Sequence, residues 1–178
     1  DSWYLIWFLP LGGAFIWFIY HQFGKSVANG MKMVFHVGLG KNTKLPIRMV
    51  PLSVIGTWTT HLFGGSAGRE GVAVQIGAAV SNNIGRLVDK TIDIENSRKM
   101  FLITGMAAGF SGLFCTPLAA IFFALEVLVA GKLEYHALIP ATVASISAAF
   151  TSRALGLRKF HINILETLNY HPSTYNAV

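Results

Sequence analysis

Charge is what this sequence has least of. Only 12% of its 178 residues are Asp, Glu, Lys or Arg, against about 25% in soluble domains. Acids are scarcer than bases, 8 against 14, which leaves a formal charge of +6 and a pI near 9.7. One cysteine, Cys115, excludes an internal disulfide and carries no message about redox compartment. In the apolar run GFSGLFCTPLAA it reads as a small packed residue. There is no Walker A loop, no GxGxxG and no hydrolytic triad, and His36, His136, His161 and His171 show no metal-ligand spacing. These absences argue against an enzyme, and no cofactor or metal is expected. No internal repeat or low-complexity segment is present. The first residue is Asp1, not Met. The first apolar run, Trp3–Tyr20, lacks the basic n-region and small-residue cleavage site of a signal peptide. The chain is therefore expected to be part of a longer protein.

Apolar residues are abundant, at 53%, with a mean hydropathy of +0.52. They fall in blocks, and a bilayer span needs roughly 20 of them. Bases punctuate the block ends: Lys25, Lys44 and Arg48, Arg86 and Lys90, Arg98 and Lys99, Arg158 and Lys159. Trp3, Tyr4 and Trp7 read as interface aromatics. The bases form no stripe, so nucleic acid is not an expected partner and a lipid bilayer is.

Helices are expected over Trp3–Tyr20 (with kinks at Pro10, Gly12 and Gly13), Ile47–Phe63, Val72–Val88, Arg98–Phe114, Leu118–Ala130 and His136–Leu155. His21–Gly30 and Asp89–Ser97 read as polar connectors, and Met31–Gly40 as an apolar stretch too short to cross alone. The fold class is thus all-α and polytopic, with short, tilted and broken helices. Broken helices at membrane depth are tolerated where they line a cavity or are buried in protein.

Gly64–Gly77, GGSAGREGVAVQIG, is the most informative stretch. It places glycines and then Arg69-Glu70-Gly71 at the start of an apolar helix. A helix N-terminus has unsatisfied N–H groups and about half a positive charge. Glycines let an anion approach the backbone. A carboxylate at that place can occupy the anion site itself, so Glu70 reads as a gate. The plainer alternative is a first-turn acid complementing the helix dipole, with glycines serving packing. Gly64-x3-Gly68 and Gly105-x3-Gly109 also read as small-residue pairs for close helix packing. His61, just before the glycine loop, reads as a proton carrier or as a helix-end histidine with its ring satisfied.

GREGVAVQIG resembles the GKEGP/GREGP-x-VQIG signature of the CLC chloride channel and anion/proton antiporter family. GMAAGFSGLFCTPLAAIFFALEVL is similar to that family's G-A-A-A-G…F-N-A-P-L-A-G-I-L-F-x-x-E-E segment, in the same order and spacing. The resemblance runs from about Trp3 to Leu155. It implies the first of two inverted repeats, with 156–178 a tail or the start of the second, and a homodimer with one pore per subunit. It implies transport of chloride or fluoride, with proton coupling in the antiporter members and none in the channels, in the plasma membrane of a prokaryote. Carried over, Glu70 is the external gate. The anion-binding set is Gly68, Arg69, Gly71, Val72, Gly30 and Met31, with Arg69 adding potential rather than contact. Glu126 is a candidate on the proton pathway or, equally, a satisfied acid near a helix end.

Three departures matter. The family's GSGIPE loop, whose serine contacts the anion, is missing; its place falls near Asn29–Met33, where a methionine resembles the fluoride/proton antiporter branch. The family's paired glutamates become Glu126-Val127, and Val127 cannot carry a proton, which argues against a standard chloride/proton exchanger. Val72 replaces the usual proline. A rival reading from another class is a membrane-embedded enzyme or binding subunit using Glu70 as a catalytic carboxylate.

Overall fold

A computed structural model describes residues 7–25, 27, 29–41, 45–88, 97–129 and 131–157. Trp3, Tyr4, Lys44, Lys90, Arg158, Lys159, His161 and His171, the connector 89–96 and the tail 158–178 lie outside the described residues. Those described are helical, with no strand among them: α1 Leu9–Phe23, α2 Gly30–Gly38, α3 Met49–Leu62, α4 Glu70–Val88, α5 Ser97–Phe114, α6 Pro117–Glu126 and α7 Leu138–Ala154. A 3-10 turn, Tyr135–Ala137, leads into α7. None of the described helices is long and apolar enough to cross a membrane.

Local signals set most boundaries. Pro10 stands in the first turn of α1, where a missing N–H costs nothing. It starts the helix instead of kinking it, contrary to the expectation from sequence. The helix also runs on to Phe23, so the connector begins at Gly24. Pro117 opens α6 in the same way. α2, α3 and α7 share one ending: after α3, Gly64 N–H donates to His61 O at 3.0 Å and Gly65 N–H to Thr60 O at 2.8 Å. That pattern needs a left-handed residue at the first position after the cap, and Gly64 supplies it with φ +76. Gly64 and Gly68 therefore belong to a helix end and the loop after it, and do not form a packing pair.

Gly105 and Gly109 do pack as expected, and Gly77 on α4 joins them. A Cβ on Gly77 would lie 2.1 Å from Gly105 O, and one on Gly109 would lie 2.2 Å from Ala73 O. Backbone thus meets backbone along the α4–α5 seam, the most extensive helix pair in the fold. Serines fasten this seam and those of α7 with α5 and α6. Ser81 Oγ donates to Phe101 O at 2.6 Å, Ser111 Oγ to Ser145 O at 2.7 Å and Ser145 Oγ to Pro117 O at 3.0 Å. The core they enclose holds Val34, Leu45, Met49, Leu102, Met106 and Leu125, all buried. Outside it, Trp17, Trp58, Phe122, Ile139 and Phe150 are exposed, far more large apolar surface than a soluble monomer shows.

Cys115 is buried between α5 and α6, with its Sγ 3.5 Å from Ser152 Oγ. Its φ is +49, a left-handed conformation that costs most residues roughly 1–2 kcal/mol. The family segment F-N-A-P puts asparagine at this place, a residue that adopts this conformation readily.

One ion cluster ties the α6–α7 connection to α5. Glu134, 3% exposed, accepts a hydrogen bond from Lys99 Nζ at 2.6 Å, and His136 Nε2 lies 3.0 Å from its other oxygen. The Lys99 hydrogen bond and charge, aided by Lys132 and His136, hold the Glu134 carboxyl below its ordinary value of 4.5, against the opposing pull of burial. A depressed acid adds stability above its unfolded pKa and loses it as pH falls through the folded value. Glu134→Gln removes the charge that faces Lys99, which is itself a quarter exposed, so thermal stability at neutral pH should fall by about 1 kcal/mol. The gap between parent and variant should close as pH drops below 4.5. Thermal unfolding of the full-length protein in detergent, taken across pH, reads both effects.

Candidate anion site

The glycine loop after α3 turns directly into α4, with Glu70 as its first residue. Arg69 O accepts the first helical bond, from Ala73 N–H at 3.0 Å. The amides of Glu70, Gly71 and Val72 precede that bond and have no acceptor inside the helix. Gly68 and Arg69, ahead of the helix, add two more. None of the five N–H groups from Gly68 to Val72 finds an acceptor among the described residues. The Glu70 carboxylate turns back toward Gly68, with Oε2 3.0 Å from where a Cβ there would sit. Any side chain at position 68 would crowd it. Glu70 itself is exposed, as are Gly68, Arg69 and Gly71, while Val72 is half-buried. Arg69 makes no ion pair among the described residues.

The N-terminus of α2 is brought to the same helix. Gly30, at φ +47, lies against α4 with the Gln75 amide nitrogen 3.4 Å from where its Cβ would sit. Two of its amides are already committed, however: Gly30 N–H donates to Val27 O at 2.9 Å and Lys32 N–H to Asn29 O at 3.0 Å. The donor set expected around Gly30–Lys32 is smaller than the sequence suggested. Met31 is half-buried against the core.

Other expected residues take structural places. His61 Nδ1 sits 2.7 Å from Thr57 O in the last turn of α3, which is the helix-end role. Glu126 closes α6, and its Oε1 accepts the Gly131 N–H at 3.2 Å. Val127 caps that helix and is half-buried. No three His, Cys, Asp or Glu side chains gather as a metal site among the described residues.

Sequence reasoning missed a crevice of about 290 Å³ between α1, α3 and α4. Tyr20, Ser53, Thr57, Thr60 and Gln75 line it, and it reaches Gly68 and Val72 at the start of α4. Ser53, Thr57 and Thr60 recur at helical spacing on one face of α3, a periodicity that marks a shared surface.

Comparison with known proteins places this geometry. A family model described as voltage gated chloride channel matches residues 12–178. A chloride/fluoride channel protein of Pseudomonas syringae pv. tomato is 38% identical over 165 residues, covering 93% of this chain and 36% of the relative. An H(+)/Cl(-) exchange transporter of Citrobacter koseri is 35% identical over 117 residues, 65% of this chain and 22% of the relative. Among solved structures, a CLC-type fluoride/proton antiporter superposes with a TM-score of 0.82 at 49% identity, covering 89% of this chain and 39% of that one. The chain spans about two-fifths or less of the length of these relatives. The all-helical fold with its interrupted helices is that of the antiporter segment it matches, and the chain belongs to the voltage gated chloride channel family.

Proposed function

We propose that this chain forms the first repeat of a two-repeat pore that moves a small monovalent anion across a membrane, with Glu70 as its gate. The observation that carries this reading is the row of five unpaired amides from Gly68 to Val72, with the Glu70 carboxylate beside its first member, Gly68. Amide donors replace the water around an anion without trapping it as a buried cation would. An ionised Glu70 competes for those donors. In its protonated form it has no charge to hold it there.

Fluoride is the favoured ion and a proton the counter-ion. Met31 at the place of the family serine and Val127 at the place of the second glutamate support this, as do the fluoride-handling relatives. We assign Glu126 to holding the turn after α6, since its carboxylate already accepts Gly131 N–H. The exposed apolar faces of α6 and α7, with Leu118, Phe122, Ile139 and Phe150, suit lipid or a second copy in a homodimer, in a prokaryotic plasma membrane. The relatives are channels and exchangers, which supports a transport role over a catalytic one for Glu70.

Efflux of fluoride and of chloride from proteoliposomes holding the full-length protein tests the assignment. Fluoride should leave faster at equal gradients. A clear chloride preference would overturn the fluoride assignment, and absence of both fluxes would overturn transport.

A further inference from the structure

The crevice between α1, α3 and α4 has unequal hydrogen-bonding walls. Thr57 Oγ1 donates to Ser53 O at 2.8 Å and Thr60 Oγ1 donates to Gly56 O at 2.8 Å. A hydroxyl has one hydrogen and two lone pairs, so both threonines have spent their donor and turn acceptors toward the cavity. Gln75 stands opposite. Its amide is half-buried, lines the cavity and makes no hydrogen bond among the described residues. An amide nitrogen offers two donors. A bare anion in the crevice would be met by the Gln75 amide and by the hydroxyls of Tyr20 and Ser53, and repelled by the threonine lone pairs. Water satisfies both, because it donates to Thr57 and Thr60 and to an anion alike.

We propose that this crevice is a hydrated anion vestibule beside the gate, in which the Gln75 amide donates directly to the anion and waters bridge it to Thr57 and Thr60. This rests on the transport reading above and adds a binding residue to it. A neutral donor suits a transient stop, because it binds an anion without the grip of a buried cation. The arrangement also favours an ion that keeps part of its water shell. The Gln75 amide lies 3.4 Å from where a Cβ at position 30 would sit, an ordinary van der Waals contact that sets the amide beside the N-terminus of α2.

The test is anion efflux against anion concentration in proteoliposomes of the full-length protein. Gln75→Leu removes the donor and should raise the half-saturating concentration about tenfold, as expected for one hydrogen bond to a charged group. Gln75→Glu keeps the shape but repels the anion and should raise it further. Thr57→Val should raise it about two- to threefold, the size of losing one water bridge. The pH profile set by Glu70 should persist in Gln75→Leu and Thr57→Val, neither of which adds a titratable group. Should Gln75→Leu unfold, Gln75→Glu carries the test, since it preserves the contact with Gly30. Parental half-saturation in a folded Gln75 variant, with or without a lowered melting temperature, would overturn the vestibule and leave Gln75 as a residue that seats α2. Failure of the gate reading looks different: Glu70→Gln would keep the parental pH profile while the Gln75 variants still shift half-saturation.

Discussion

Gly109→Leu should abolish folding of the full-length protein, leaving aggregate in place of a monodisperse peak on size exclusion. Even a single Cβ at this position would lie 2.2 Å from Ala73 O, and at Gly77 2.1 Å from Gly105 O. Both obstacles are backbone, so no rotamer change relieves them. The helices would have to part, and the packing they lose runs along the largest seam in the fold. The cost is about 3 kcal/mol or more, the top of the range for overpacked cores, against a total stability of roughly 5–15 kcal/mol. Gly13→Leu is the control. Nothing lies within 4 Å of a Cβ at Gly13, and leucine is the better helix former. That variant should purify as the parent does, and a Gly109→Leu protein that also does so would show the seam to be looser than described.

Glu70→Gln should flatten the dependence of anion flux on pH. The side chain keeps its size and its place over Gly68, but it no longer carries a charge or takes up a proton. In the parent, an anion taking the amides from Gly68 to Val72 displaces a charged carboxylate and then faces it. Protonation removes that repulsion, so the two events are linked. In the variant the amides face a neutral group at every pH, and the anion competes with it on constant terms. The measurement is efflux at a series of external pH values. A variant that keeps the parental profile would leave Glu70 as an acid that merely complements the helix dipole.

Much of this was legible in the sequence because the decisive features are local. Glycines followed by Arg69-Glu70-Gly71 mark a helix start whatever surrounds it, and α4 begins at Glu70. The helices were expected to be short and interrupted because Gly and Pro break the apolar runs, and Pro117 opens α6 accordingly. What stayed hidden depends on contacts distant in sequence. Gly64-x3-Gly68 has the spacing of a packing pair, yet only the turn geometry of α3 shows that Gly64 ends a helix. Pro10 reads equally as a kink or a start until the helix boundary is known. Gln75 sits within the recognised motif, but its approach to Gly30 joins two helices separated by an entire third one. For Glu126 the sequence left open a place on the proton pathway or a satisfied acid near a helix end; that Gly131 N–H donates to it is a matter of loop geometry.

The most direct test of the central claim is proton movement driven by an anion gradient. Proteoliposomes loaded with fluoride and holding the full-length protein are diluted into fluoride-free buffer while internal pH and fluoride release are followed together. With Glu70 as the gate on unpaired amides, the parent should take up protons as fluoride leaves, and Glu70→Gln should show no fluoride-driven proton uptake. Proton uptake in the variant at the parental ratio to fluoride would contradict the account.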